Sequence, residues 1–286
     1  LKSRPLDTIR DPAGPTRAVV LAGRRGGVDA LAEAAGAPHR ALLEIEGEPM
    51  LLRVIEQLLA WPTIEHVLVN IDEPGRIDTI PALARLRDTG RVRFEPSTDS
   101  PSRSALESLD LSGLSEGPVL VTTADHALLD HPILEAFLGA SARSDADLTV
   151  GLVARTTIEA RFPTAKRTYL RFRDDAYSGA NLFLFRRPAA RGVAEFWCRI
   201  ERERKHPWRL ARAFGWINLL LFVTRRLTLE TAMRRASRVL GVQVEAIPIA
   251  IAEAAVDVDK LADLELVRAI LAARRVRADP EDRTPD

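Results

Sequence analysis

Between residues 17 and 153 the chain alternates short Val-rich apolar runs with stretches of helical periodicity. Arg17 to Ala22, His66 to Ile71, Val92 to Glu95, Val119 to Thr123 and Asp147 to Val153 read as strands. Pro49 to Trp61, Ile77 to Asp88, Ser102 to Leu111 and His131 to Ser141 read as helices, with Ser102 as a candidate N-cap. Strands separated by helices return in the same direction, so this order predicts an α/β fold: a mostly parallel, Rossmann-like sheet with helices on both faces. Residues 23–40 read as one long loop, broken by Gly23, Gly26, Gly27, Gly36 and Pro38.

The second half is less regular. Thr168 to Arg173 and Asn181 to Phe185 read as a strand pair joined through Asp174 to Gly179. Helices follow over 188–205, 207–223 and 228–240, then a strand at Val242 to Ile247 and a closing helix at Asp263 to Ala273. The expected organisation is a flexible tail at 1–16, a single α/β domain at 17–275 with a helical insertion near 188–240, and a flexible tail at 276–286. A start at Leu1 suggests processing, and no signal peptide is visible. Lysine plus arginine (41) nearly balance aspartate plus glutamate (40), which gives no support for nucleic-acid binding. The single cysteine, Cys198, excludes an intramolecular disulfide framework and fits a reducing cytoplasm. Its apolar helical setting beside Trp197 points to core packing.

Three separated stretches fit one kind of site. Leu21-Ala22-Gly23-Arg24-Arg25-Gly26-Gly27 follows a strand with a Gly/Arg loop, whose backbone N–H groups and guanidiniums suit phosphate oxygens. A surface turn with solvated arginines has the same composition. Asp125 follows a buried strand and sits at the sheet edge where ligands bind; its other reading is a turn or N-cap residue before the helix at His131. Asp257 and Asp259 share a face of an extended segment, with Val256 and Val258 on the other. Asp263 begins or caps the last helix. Carboxylates from distant parts of the chain suit a Mg²⁺ bridging phosphate oxygens. His126 and His131 do not have convincing zinc-site spacing.

These stretches resemble nucleotidyltransferases with a GT-A-like Rossmann fold, the group of the molybdenum-cofactor nucleotidyltransferases. Besides the three already named, the resemblance rests on His39-Arg40-Ala41-Leu42-Leu43, Gly47-Glu48-Pro49-Met50-Leu51, Pro101-Ser102-Arg103-Ser104 and Ser178-Gly179-Ala180-Asn181. They occur in the family's order and cover roughly residues 17 to 272. The resemblance implies that the loop at Leu21, Ala22, Gly23 and Gly26 wraps the triphosphate, with Arg24, Arg25 and Arg40 countering its charge. Arg40 stands where the family has a phosphate-contacting lysine, and Ser104 lies where the base is recognised. Asp125 and Asp259 would bind Mg²⁺. Gly179 and Asn181 match the acceptor segment, and Lys166, with Arg167, would supply a further cation. The arginines follow Gly23 directly, whereas the family spaces a Gly and an Arg there.

The implied reaction moves a nucleoside monophosphate from a triphosphate to a phosphorylated small-molecule or lipid-precursor acceptor and releases pyrophosphate. Two other readings remain: a glycosyltransferase of the same fold, against which stands Asp125-His126-Ala127 in place of Asp-X-Asp, and a non-catalytic nucleotide-binding regulator. Residues 205–226 form a long helical, apolar stretch flanked by Arg209, Arg212, Arg225 and Arg226. It is expected to cover the acceptor opening. It reads first as ordinary core with solvated ends; peripheral membrane contact and a homodimer interface are the alternatives.

Overall fold

The computed structural model describes residues 16–24, 29–165, 167–203 and 215–278. Residues 1–15 and 279–286, Arg25, Gly26, Gly27, Val28, Lys166, and positions 204–214 lie outside them.

The expected strands pair as a mostly parallel sheet. Strand β1 (Thr16–Leu21) lies between β4 (Ile64–Ile71) and β6 (Val119–Thr123), parallel to both, and β5 (Val92–Pro96) extends it beyond β4. On the other side of β6 comes the antiparallel β9 (Ala176–Phe185), then β7 (Leu148–Ala154) and the edge strand β10 (Val244–Pro248). The order is β10-β7-β9-β6-β1-β4-β5, with β8 (Leu170–Arg171) beside β9. A small hairpin pairs β2 (Glu44–Ile45) with β3 (Glu48–Pro49). Because β6 and β7 both run opposite to β9, their C-terminal ends share an edge with that of β1.

Both sheet faces are apolar, as the Val-rich runs require. Ala18 and Val20 point into one core layer with Leu51, Ile55 and Leu58 of α2 (Met50–Leu59) and Phe137 of α5 (His131–Ala142). Val19 and Val121 point to the opposite layer, against Leu109 of α4 (Pro101–Leu111) and Ala194 of α7 (Arg191–Glu203). Each such Leu, Ile or Val contributes about 1.5–3 kcal/mol by leaving water. Helix α3 (Pro81–Asp88) packs Leu83 into the first layer, and α6 (Arg155–Arg161) packs Ile158 there.

Several sequence expectations are corrected. The long loop at 23–40 contains a short helix, α1 (Ala30–Ala34), N-capped by Asp29. Helix α4 is capped by Ser100, not Ser102: Pro101 starts the helix and Ser100 accepts from the Arg103 N–H. Strand β9 begins at Ala176, not Asn181, and carries a bulge where Asn181 has φ 50°. Helix α8 (Trp216–Val223), read first as core, buries none of its residues. Helix α9 (Leu229–Leu240) ends at Gly241, in the left-handed region. The closing helix, α10 (Leu261–Ala278), is longer at both ends than the periodicity indicated and enters the stretch expected as tail.

Candidate active site

The acidic site is assembled by main chain. Asp125 follows β6, and its carbonyl accepts from the Val258 N–H (3.0 Å). That bond brings the segment before α10 back to the β6 edge. Val256 and Val258 are buried, so the alternate residues Asp257 and Asp259 turn to the other side. One carboxylate oxygen from each of Asp125, Asp257 and Asp259 lies within 4.8 Å of the others. Helix α5 takes its cap from Asp130, which accepts from the Ile133 N–H (3.0 Å), so the capping reading of Asp125 fails.

Three clustered carboxylates repel one another. Burial, with Asp257 and Asp259 nearby, pushes Asp125 up to about 6 against the lowering bond from Thr123 Oγ1 and the charge of Arg40. Asp257 is raised by burial and by Asp259, with Arg167 opposing. The buried Arg167 joins Asp257 and lies 3.3 Å from Asp263. It is therefore engaged beneath the acidic segment. Asp263 also accepts from the N–H groups of Asp259 and Lys260 (3.3 and 3.2 Å), holding the turn into α10.

Arg40 stands beside this cluster. Its Nη1 donates to Asp259 (2.9 Å) and its Nε to Asp29 (2.8 Å). Burial alone would raise Asp29, but the Arg40 bond and the N–H groups of α1 outweigh it and lower the pKa. Arg24 is held elsewhere: its Nε and its backbone N–H both donate to Asp72 (2.8 and 3.1 Å). Asp72 also accepts from Ser97, and these bonds keep its pKa below the usual carboxylate range despite burial. The buried His39 accepts at Nδ1 from the Ala41 N–H (3.1 Å), and its Nε2 lies 3.5 Å from Asp72. Burial lowers its pKa, against the raising pull of Asp72.

Leu21 ends β1, Ala22 is buried just beyond it, and Gly23 crosses the 97–104 segment so closely that a Cβ there would lie 2.7 Å from Ser97 Cβ. Ser104 is buried, and its hydroxyl accepts from the Thr98 N–H (2.8 Å) and bonds Thr98 Oγ1 (3.0 Å). It shapes the loop after β5. Gly179 is exposed on β9, and Asn181 occupies the bulge facing Gly151. Asp29, Asp72 and Ser97 had no role in the resemblance, and Arg167, expected to add a cation beside Lys166, instead binds Asp257 and Asp263. The sequence signals for them are an Asp one residue before a helix, polar residues just after β4 and β5, and a cation close to the partner strand of the site.

Three carboxylate oxygens at this spacing suit a hard divalent cation, which prefers oxygen donors and relieves their mutual repulsion. Among the described residues, these three are the acidic or metal-ligating side chains that converge in this way.

The model of the MobA-like NTP transferase domain matches residues 18–227. The chain belongs to that family and is a nucleotidyltransferase. A hypothetical transferase from Thermus thermophilus is 32% identical, with a TM-score of 0.71, covering 88% of this chain and 99% of its own. The fold also matches a CMP:2-keto-3-deoxy-manno-octonic acid synthetase complexed with CTP, at 17% identity and a TM-score of 0.57, covering 91% of this chain and 100% of the other. A 4-diphosphocytidyl-2C-methyl-D-erythritol synthase from Anaerococcus prevotii matches at 12% identity and 0.56, covering 91% and 96%. No curated protein matches by sequence.

Proposed function

We propose that the protein transfers a nucleoside monophosphate from a triphosphate to a phosphorylated acceptor, using Mg²⁺ held by Asp125, Asp257 and Asp259. The observation that carries this is the convergence of those three carboxylates, from distant parts of the chain, on the ligand-binding edge of the sheet.

In the proposed reaction an acceptor phosphate oxygen attacks the α-phosphorus. The new phosphorus–oxygen bond forms as the α–β bridging bond breaks, and pyrophosphate leaves with its electron pair. The acceptor phosphate is ionised at neutral pH, so no general base is needed. The task is to hold two anions in line and offset their repulsion. Mg²⁺ bound to the carboxylates would supply that charge and polarise the α-phosphate. Arg40 supplies a second cation and, through Asp29 and Asp259, keeps the acidic segment in place. Gly23 lets the loop after β1 pack closely on Ser97, which would set that loop for a triphosphate. Ser104 acts on the base through the Thr98 loop it holds. Asn181, placed by the bulge on the same sheet edge, and Gly179 face the acceptor.

A panel of nucleoside triphosphates with Mg²⁺ and phosphomonoester acceptors, read by pyrophosphate release, tests this reading. CTP is the first nucleotide to try, because CTP or a cytidyl group appears in the names of two fold relatives. Turnover is expected to require Mg²⁺ and to fall about a thousandfold in Asp125→Ala, with the fold retained. Unchanged turnover in Asp125→Ala would place the chemistry elsewhere.

A further inference from the structure

We infer that helix α8 docks the protein on an anionic lipid surface. Trp216, Ile217, Leu220 and Val223 are 64%, 71%, 63% and 68% exposed. Their spacing puts them on one side of the helix. The other side is anchored. Leu221 and Phe222 pack against Phe172, Leu227 and Leu229, and the Phe222 and Phe172 rings lie 5.7 Å apart. Arg235 of α9 donates to Asn218 (2.6 Å). The helix closes with bonds from the Arg225 N–H to the Phe222 carbonyl (2.9 Å) and from the Arg226 N–H to the Leu221 carbonyl (2.8 Å). This closure sets Arg225 at φ 55°, a conformation that usually falls to glycine. A bulky cationic residue is thus held at the end of an exposed apolar face.

Charge favours a lipid occupant. Arg225 and Arg226 are exposed, as are Arg171 and Arg173 on the neighbouring strand and turn. The Arg173 N–H bonds the Leu227 carbonyl (2.8 Å), which fixes its nearness to the helix end. None of these four guanidiniums forms an ion pair among the described residues, although acids are nearly as numerous as bases in the chain. Of the nearby acids, Asp174 accepts from the Leu229 N–H, and Glu230 lies 3.9 Å from Arg234. An apolar strip that includes a tryptophan, next to unpaired arginines, matches the layers of an anionic bilayer surface. A second copy of the chain is the weaker fit. A two-turn helix is roughly 12 Å long, and one face of it is far smaller than the ~800 Å² per partner of a stable dimer.

Position adds a reason. Phe172 contacts Tyr177 (6.0 Å), which pairs with Ala154 at the C-terminal end of β7. Helix α8 therefore stands at the same sheet edge as the carboxylate cluster, where a membrane-borne acceptor would meet it. Only that last step rests on the transfer reading; docking itself does not.

The test is sedimentation of the full chain with phosphatidylcholine vesicles, with and without phosphatidylglycerol, in the absence of nucleotide. Binding is expected only with the anionic lipid, weakening as salt rises. Leu220→Asp should abolish it, and the double variant Arg225→Glu/Arg226→Glu should lower it by about thirtyfold or more. Both should keep the wild-type Tm, because the altered side chains are exposed. Equal binding to neutral vesicles, no binding at low salt, or unchanged binding by the variants would overturn the inference. So would a concentration-dependent dimer that Leu220→Asp dissociates, which would assign the face to a second copy. Pyrophosphate release with soluble acceptors is measured separately, so failure of one reading leaves the other standing.

Discussion

Asp125 is a buried carboxyl crowded by two other carboxylates. In the unfolded chain its carboxyl ionises near 3.8; in the fold this moves to about 6. Between those values the folded state holds the extra proton, so this group's contribution to stability falls as pH rises through the window. The neighbouring His126 has the opposite sign. Burial pushes it down from 6.5 to about 4, and neither ring nitrogen has a hydrogen-bond partner among the described residues. Its contribution is intact above about pH 6.5 and is lost as pH falls towards 4. Two substitutions should therefore tilt the melting curve in opposite directions. Asp125→Asn should raise the metal-free Tm near neutral pH by a few degrees (roughly 2–4 °C per kcal/mol for a protein of this size), with no gain near pH 4. His126→Leu should hold or raise Tm at neutral pH, since a buried unpaired N–H costs about 1–3 kcal/mol. It should also remove part of the acid loss. Thermal scans across this range check both, and a matching pH slope in all three proteins would contradict the assignment. With Mg²⁺ the proton competes for Asp125, so affinity should fall roughly tenfold per pH unit below about 6.

At the scale of elements, Gly23 shows how a strand end becomes a loop that can approach a ligand. An alanine Cβ there would sit 2.7 Å from Ser97 Cβ. Gly23→Ala should displace the Ser97–Asp72–Arg24 group and weaken triphosphate binding about tenfold or more, in line with what small misplacements cost. Adding Ser97→Gly should restore most of it. Calorimetric titration of both variants measures the effect, and failure of the second change to rescue would mean that the clash is not the cause. The elements were unevenly legible in the sequence. Val19, Val20 and Val121 made β1 and β6 plain because a strand buried on both faces reads as an unbroken apolar run. Helix α1 was missed because five residues are too few to show a period, although Asp29 carried the cap signal. The start of β9 was missed because the bulge at Asn181 interrupts the alternation. Helix α8 was read as core because hydropathy alone does not distinguish a side chain that faces protein from one that faces outward; Leu221 and Leu220 are the same residue with opposite surroundings.

At the scale of the whole molecule, the site depends on a chain that returns. Asp125 was readable from its place after a buried strand, and Asp257 and Asp259 from the face they share opposite Val256 and Val258. That the two segments meet, and that Arg167 joins Asp257 there, depended on the Val258–Asp125 main-chain bond, for which the sequence has no local signal. No helix among the described residues is long and apolar enough to cross a membrane. A cleft lined by Leu114, Glu116, Arg186 and Arg187 lies at the opposite edge of the sheet, before β6 and after β9, away from the carboxylate cluster. The central claim is that the α-phosphorus of a triphosphate is attacked at the three carboxylates. The most direct measurement follows two labels, one on the α- and one on the γ-phosphate, with Mg²⁺ and a panel of phosphomonoesters. The account predicts the α-label on the acceptor and the γ-label in pyrophosphate, with both transfers lost in Asp125→Ala. The γ-label on the acceptor, or its release as orthophosphate with a nucleoside diphosphate left behind, would contradict it.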